Sequence, residues 1–140
     1  MAELNVSRKN IQGLLSLNDP TTKGKIFVIP EYQRPYRWEV DTCDVLWNDL
    51  KNFFEEHKDD DREYFLGSIV TCDDTDEQNR INIIDGQQRI TSFLLLLRAF
   101  YYKLEDQLVD NPSDEEVEGL MKSIEPCIWK INPMTKKVSN

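Results

Sequence analysis

Residues 80–108 read RINIIDGQQRITSFLLLLRAFYYKLEDQL and carry the clearest structural signal in the sequence. The apolar residues at its start predict a strand over 80–84. The next two residues, Asp85 and Gly86, lead into a helix predicted from about Gln87 to Leu108, since apolar side chains continue nearly all round it. A helix that is apolar on every side is typical of a central, buried element. We therefore expect this helix to form the core.

Further elements are predicted on both sides of this stretch. Before it come a helix capped by Ser7 and ended by Asn18-Asp19-Pro20, a strand over 26–29, an extended arm over 30–38, a helix capped by Asp41 or Thr42, and a strand over 64–71. After it come a short acidic helix capped by Ser113 and a tail that begins at Pro126. This order predicts an α+β fold, with a small mixed sheet packed with helices.

The length, apolar runs and cysteines limit the class of protein. A chain of 140 residues is long enough for one hydrophobic core, and we expect a domain over 1–125 followed by a tail, or the start of a further region, over 126–140. The longest apolar run, Phe93 to Leu97, is too short to span a membrane, and no signal peptide is expected. Three scattered cysteines without a CxxC pair favour a cytoplasmic location.

The net charge of −9 argues against a general nucleic-acid coat, but the charge is unevenly distributed. Residues 55–77 hold ten acids and two bases, and residues 105–125 hold eight acids and one base. The remaining residues hold 14 of the 17 bases. A focused basic site is therefore compatible with the composition. The acidic windows themselves are typical of solvated faces and loops.

Several familiar catalytic motifs are absent from the sequence. It contains neither a P-loop nor a GxGxxG motif. Its single histidine, His57, lies among charged residues, where a surface role is expected. Since no cluster of metal-ligand residues accompanies it, we expect no nuclease centre in this chain.

The DGQQR motif at residues 85–89 allows two interpretations. The N-terminus of a helix offers unpaired N–H groups, Gly86 permits close approach, and the glutamines, the arginine and Thr91 add donors, which together favour a phosphate cradle. Alternatively, Asp85 and Gln88 have the spacing of a capping box, and the glycine belongs to a turn. The spacing alone leaves both interpretations open.

The arm over residues 30–38 alternates aromatic and basic side chains. Tyr32, Tyr36 and Trp38 are interleaved with Arg34 and Arg37. Aromatic rings and guanidinium groups suit a base and its phosphates. The alternative is that the rings pack against the core and the arginines pair with nearby acids.

Three segments together carry a family resemblance: IPEYQRPYRW at 29–38, YFLGSIV at 64–70 and IIDGQQRITSFLLLL at 83–97. Over residues 8–108 the chain resembles the N-terminal domain of the GmrSD-type restriction endonucleases. The resemblance implies a ParB/sulfiredoxin-like fold and a module that binds and hydrolyses NTP in bacterial defence against modified phage DNA. Full-length members usually carry a C-terminal HNH nuclease part, so we expect this chain to be a portion of a longer protein.

The resemblance also assigns roles to individual residues. Asp85, Gln88 and Arg89 are predicted to be catalytic, with Asp85 also a ligand of Mg²⁺. The predicted nucleotide-binding residues are Tyr32, Gln33, Arg34, Arg37, Trp38, Gly86, Gln87, Arg89 and Thr91. The expected partners are a nucleoside triphosphate, a C-terminal nuclease region or subunit and, for the full-length protein, modified DNA. Two alternatives remain open: a sensor of DNA modification that does not hydrolyse NTP, and a module that docks on a partner domain.

Overall fold

The computed structural model describes residues 3–16, 24–129 and 134–135. Its elements, in chain order, are α1 (Ile11–Leu15), β1 (Ile26–Val28), α2 (Val40–His57), β2 (Val70–Asp73), β3 (Arg80–Asp85), α3 (Gln87–Asp110) and α4 (Glu115–Ile128). Within the described ranges the fold is α+β, with a small three-stranded mixed sheet and four helices, as the sequence predicts.

The sheet has the strand order β1-β3-β2, so β3 is central. Strand β2 runs antiparallel to β3, with Thr71 opposite Ile83 and Asp73 opposite Ile81. Side chains alternate between the two faces of a strand: Ile83 and Ile81 are only 1% and 4% exposed, whereas Ile84 is 38% exposed. The strand predicted over 80–84 is therefore confirmed, and the structure shows that Ile81 and Ile83 lie on its buried face.

The chain divides into two compact units. We call residues 27–93 the arm unit, and residues 1–26 together with 94–140 the terminal unit. Helix α3 begins in the arm unit and continues in the terminal unit. In the arm unit the buried apolar side chains come from β3 and the first turns of α3, namely Ile81, Ile83, Ile90 and Phe93.

Helix α3 is buried along one stripe rather than nearly all round. Ile90 and Tyr101 are 3% and 8% exposed, whereas Leu95 and Tyr102 are each 55% exposed and Val109 is 78% exposed. The prediction of burial on every side is therefore wrong for the face that carries Leu95. Apolar composition marks a helix that can be buried, but the neighbouring elements decide which side is covered.

The terminal unit is built on contacts between helices. Helix α1 packs on α4, and the buried side chains are Leu15, Tyr101 and Val117. The Tyr101 hydroxyl donates a hydrogen bond of 3.0 Å to Glu125 Oε1, and its ring meets the Trp129 ring edge-on. Helix α4 continues through Pro126 to Ile128, so the tail predicted to begin at Pro126 starts later than expected. Residues 130–133 and 136–140 of the predicted tail lie outside the described residues.

Three helix starts differ from the sequence prediction. The observed N-caps are Asn10 of α1, Glu39 of α2 and Asp114 of α4, in place of Ser7, of Asp41 or Thr42, and of Ser113. Asn10 Oδ1 accepts from Gly13 N at 2.7 Å, and Asp114 Oδ1 accepts from Val117 N at 3.1 Å. Ser, Thr, Asp and Asn all suit an N-cap, so closely spaced candidates are not separated by residue type. The predicted end of the first helix at Asn18-Asp19-Pro20 lies outside the described residues.

The strand predicted over 64–71 is the largest local error. Strand β2 begins only at Val70 and continues to Asp73. Before it, Gly67 has a φ of +107°, and the Ser68 carbonyl accepts a hydrogen bond from the Arg89 side chain. Since a left-handed residue interrupts the extended backbone, residues 64–69 form a loop despite their aromatic and aliphatic side chains.

Candidate functional site

The DGQQR motif joins β3 to α3 through a single glycine. Gly86 has a φ of +97°, and its carbonyl accepts the first helical hydrogen bond, from Ile90 N at 3.0 Å. A Cβ at this position would lie 2.9 Å from Ile69 Cγ1 and 3.3 Å from Ile69 Cα. The position therefore requires glycine twice, for its backbone conformation and for the close approach of the segment before β2.

The capping-box interpretation of Asp85 and Gln88 is not what the structure shows. The Gln88 side chain turns toward the arm, and Gly86 occupies the start of the helix. Within the described residues the exposed Asp85 carboxylate makes no hydrogen bond and no ion pair. Asp85 is therefore positioned at the end of β3 without serving as a cap.

The Gln88 amide binds the backbone of the arm on both sides of Tyr36. Gln88 Oε1 accepts from Arg37 N at 2.7 Å, and Gln88 Nε2 donates to the Pro35 carbonyl at 2.9 Å. One side chain thus supplies a donor and an acceptor to a backbone segment that belongs to no strand. This pair of bonds fixes the C-terminal half of the arm on the first turn of α3.

Two further glutamines connect the N-terminal half of the arm to the same place. Gln33 Nε2 donates to the Ile84 carbonyl at 3.0 Å, and Gln87 Nε2 donates to Gln33 Oε1 at 3.3 Å. Gln87 is only 7% exposed, so its polar atoms need such partners. The first and third of the three segments that carry the family resemblance, 29–38 and 83–97, are therefore in direct contact.

Tyr36 makes a third connection between the arm and α3. Its hydroxyl lies 2.9 Å from Ser92 Oγ, which itself donates to the Gln88 carbonyl at 2.8 Å. The Tyr36 hydroxyl, Ser92 and the Gln88 carbonyl thus form a short chain of hydrogen bonds between the arm and α3. Partial burial raises the pKa of Tyr36, an effect that the nearby Cys43 thiol at 3.7 Å increases and the Ser92 bond opposes. Ser92 was not identified from the sequence, because a serine inside an apolar helix carries no distinguishing pattern.

Arg89 is held by the loop that precedes β2. Its Nη1 donates to the Ser68 carbonyl at 2.7 Å, and a Cβ on Gly67 would lie 2.7 Å from Arg89 Cζ. The guanidinium therefore lies directly against the Gly67 backbone. Thr91 is also engaged within the protein, since its hydroxyl donates to the Gln87 carbonyl one turn earlier at 2.8 Å.

The remaining predicted site residues are available to a ligand. The Arg34 and Arg37 side chains are exposed and form no ion pair within the described part of the chain, and Tyr32 is 74% exposed. Trp38 is half-buried. The site residues therefore fall into two groups. Those that hold the arm and the loop before β2 are Gln33, Gln87, Gln88, Ser92 and Arg89. Those that face solvent are Tyr32, Arg34, Arg37 and Asp85.

Asp85 is compatible with a limited role in binding a metal. Among the described residues, no group of three or more His, Cys, Asp or Glu side chains could hold a metal ion. Mg²⁺ that accompanies a nucleotide is commonly bound by one or two protein carboxylates together with phosphate oxygens and water. A single unpaired carboxylate at the end of a strand fits that pattern, although it does not form a metal centre by itself.

These observations define a small α+β domain in which a proline-containing arm is bound to a strand–glycine–helix loop. The chain belongs to the family described as GmrSD restriction endonuclease, N-terminal domain, whose model matches residues 12–136. This confirms the resemblance seen in the sequence and implies a role in a restriction system that defends against phage. No protein among the curated sequences matches this chain. In the described part of the chain, no helix combines the length and apolar character needed to cross a membrane.

Proposed function

We propose that the arm unit binds a nucleoside triphosphate with Mg²⁺ and hydrolyses it to regulate the restriction endonuclease. The observation that carries the proposal is the contact between the arm and the DGQQR motif, made through Gln33, Gln87 and Gln88. These bonds attach a segment rich in arginine and aromatic residues to a strand–helix loop. Helix N-termini that follow a glycine turn are suited to phosphate groups.

The proposed binding uses the exposed arm side chains. Arg34 and Arg37 offer two guanidinium groups, which match the geometry of phosphate oxygens and carry a permanent positive charge. Tyr32 offers an exposed ring on which a base can stack. Thus the arm would contact features that all nucleotides share, so the ligand would be selected mainly by its phosphates and not by its base.

The proposed hydrolysis uses Asp85 and the metal that accompanies the nucleotide. Bound Mg²⁺ supplies charge neutralisation at the β- and γ-phosphate oxygens. Asp85 would provide an oxygen ligand for that ion or orient the attacking water, both of which require its negative charge. The water oxygen bonds to the γ-phosphorus and loses a proton to solvent. The bond between the γ-phosphorus and the β–γ bridging oxygen breaks, which releases inorganic phosphate and a nucleoside diphosphate.

The proposed regulatory role follows from the family. Its name identifies this domain as the N-terminal part of a restriction endonuclease. We therefore infer that nucleotide binding here controls a C-terminal nuclease region or subunit, and that modified DNA is the target of the complete enzyme. A ParB/sulfiredoxin-like fold for the domain remains part of the same proposal.

A thermal-shift panel tests the binding. Each of the four common NTPs, with and without Mg²⁺, is added to wild type, to Arg34→Ala/Arg37→Ala and to the matched control Arg62→Ala. Arg62 is also an exposed arginine, but it pairs with Asp60 and lies outside the two motifs. Binding to the folded state raises the melting temperature, so we expect a Mg²⁺-dependent rise in wild type and Arg62→Ala and its loss in the double variant.

Two results would contradict the proposal. If no NTP raises the melting temperature of the wild type, the domain does not bind nucleotide. If only DNA carrying modified bases does so, a sensor of DNA modification is the better description.

A further inference from the structure

We propose that Gln88 is a positioning residue, which holds the arm on α3 so that Arg37 contacts the phosphates of the nucleotide. This inference rests on the proposed nucleotide binding and assigns different tasks to two neighbouring parts of the site. Gln88 acts through the backbone of the arm. Arg37 makes the contact with the ligand.

The first argument is that both polar atoms of the Gln88 amide already have hydrogen-bond partners in the protein. Its Oε1 and Nε2 each have a backbone partner in the arm, at 2.7 Å and 2.9 Å. A ligand that recruited the same atoms would have to break these bonds and expose the Arg37 N–H and the Pro35 carbonyl. The contacts therefore favour a structural task for this side chain over direct participation in chemistry.

The second argument is that the arm has few other ways to hold Arg37. Residues 34–39 belong to no helix or strand, and proline at 35 has no N–H to donate. The Arg37 N–H finds its acceptor in a side chain 51 positions away. Removing that acceptor would therefore loosen the backbone at Arg37 and, with it, the position of the Arg37 side chain.

The third argument is that neighbouring contacts are independent of the Gln88 amide. Tyr36 is bound to Ser92, and Gln33 is bound to the Ile84 carbonyl. These bonds keep the rest of the arm on the domain when Gln88 is replaced. Because Gln88 is only half-buried, a leucine of similar size is expected to fold and to affect mainly Arg37.

A first experiment reads the backbone directly, without nucleotide. Hydrogen exchange of the Arg37 amide is compared in wild type, Gln88→Leu and the control Gln12→Leu. Gln12 also donates from its side chain to a backbone carbonyl, that of Ser123 in the terminal unit. We expect exchange at Arg37 to accelerate about tenfold in Gln88→Leu and to be unchanged in Gln12→Leu. An unchanged rate in Gln88→Leu would overturn the positioning role.

A second experiment separates positioning from direct contact by a double-mutant cycle. The affinity for Mg²⁺-NTP is measured in wild type, Gln88→Leu, Arg37→Ala and the double variant. We expect each single change to weaken binding about tenfold, and Gln88→Leu to weaken it less than about twofold once Arg37 is already alanine. Additive losses would show that Gln88 contacts the nucleotide itself. Absence of nucleotide binding in wild type would refute the proposed function and the ligand role of Arg37. The exchange experiment needs no nucleotide, so it tests the contact between Gln88 and the arm backbone independently.

Discussion

Gly67 and Arg89 form the contact on which the loop before β2 depends. The glycine adopts a φ of +107°, and a Cβ on it would lie only 2.7 Å from Arg89 Cζ. The guanidinium also binds the next carbonyl along, that of Ser68. Arg89 of the DGQQR motif therefore stabilises the loop before β2, in addition to any role in catalysis.

Gly67→Ala is expected to lower the free energy of unfolding by about 1–3 kcal/mol. Alanine is strained at a positive φ, and its methyl group would displace Arg89 and break the bond to Ser68. Denaturant melts measure the effect. The matched control is Gly119→Ala in α4, where a Cβ meets nothing within 4 Å, and where alanine is expected to stabilise the helix by up to about 1 kcal/mol. Equal stabilities for Gly67→Ala and wild type would show that the backbone does not need this conformation.

Asp85 and Asp114 provide a test of what a carboxylate does near a helix start. Asp114 caps α4, so Asp114→Ala is expected to cost about 0.5–2 kcal/mol of stability. Asp85 makes no such bond, so Asp85→Ala and Asp85→Asn are expected to stay within about 0.5 kcal/mol of wild type. Both are nevertheless expected to abolish Mg²⁺-dependent NTP turnover.

Paired melts and phosphate-release assays distinguish the roles of Asp85. Full turnover in Asp85→Asn would remove the requirement for charge. A loss of stability in Asp85→Ala as large as that in Asp114→Ala would show that the residue supports the fold.

At the scale of elements, α3 and α4 are joined by a polar and aromatic contact. Tyr101 donates to Glu125, and the Arg98 guanidinium lies 5.1 Å from the centre of the Trp129 ring. Burial, together with the Glu125 hydrogen bond and the charges of Glu125 and Glu105, raises the pKa of Tyr101 to about 12, although Arg98 acts in the opposite direction.

This contact predicts a loss of stability in alkaline solution. The folded state holds the Tyr101 proton more tightly than the unfolded chain does, whose tyrosine pKa is about 10. The stabilisation is therefore fully present below pH 10 and is lost as the pH rises through about 12. Denaturant melts across this range are expected to show a smaller alkaline loss in Tyr101→Phe than in wild type. Tyr102→Phe, at an exposed neighbouring ring, is the control and should retain the wild-type profile.

At the scale of the whole molecule, the position of the core decides which apolar residues matter. Phe93 is 4% exposed, whereas Leu95, two positions later, is 55% exposed. We expect Phe93→Ala to cost about 3–5 kcal/mol and Leu95→Ala about 1 kcal/mol or less. Likewise, Phe93→Asp should prevent folding, whereas Leu95→Asp should not, although the sequence predicted a helix buried on every side. Cooperative melts followed by circular dichroism measure both pairs, and similar losses at the two positions would contradict the observed burial.

The distribution of charge leads to a prediction for nucleic acid. One acidic window, residues 55–77, lies in the arm unit, and the other, 105–125, lies in the terminal unit. Binding to duplex DNA needs an extended basic track, and the net charge is −9. We expect the isolated chain to bind unmodified duplex DNA much more weakly than Mg²⁺-NTP and not to cleave it. Gel-shift and nicking assays at moderate salt test this, and tight binding or metal-dependent nicking would contradict it.

Elements with a local signal could be predicted from the sequence alone. The apolar residues of β3, the glycine turn and the run of apolar residues in α3 are recognised from neighbours a few positions apart. The α+β class and the family also follow from the sequence, since the motifs are continuous. Even the arm was predicted correctly as a non-helical segment, because proline restricts its own residue and the one before it.

The partner of each polar side chain, by contrast, could be seen only in the folded protein. The spacing of Asp85 and Gln88 fits a capping box, yet the Gln88 amide binds backbone 51 positions away. Residues 64–69 have strand composition, yet Arg89, 21 positions after Ser68, takes a backbone carbonyl there. A buried or half-buried polar group is satisfied by whichever donor or acceptor the fold brings near, and that choice depends on contacts that no local pattern records.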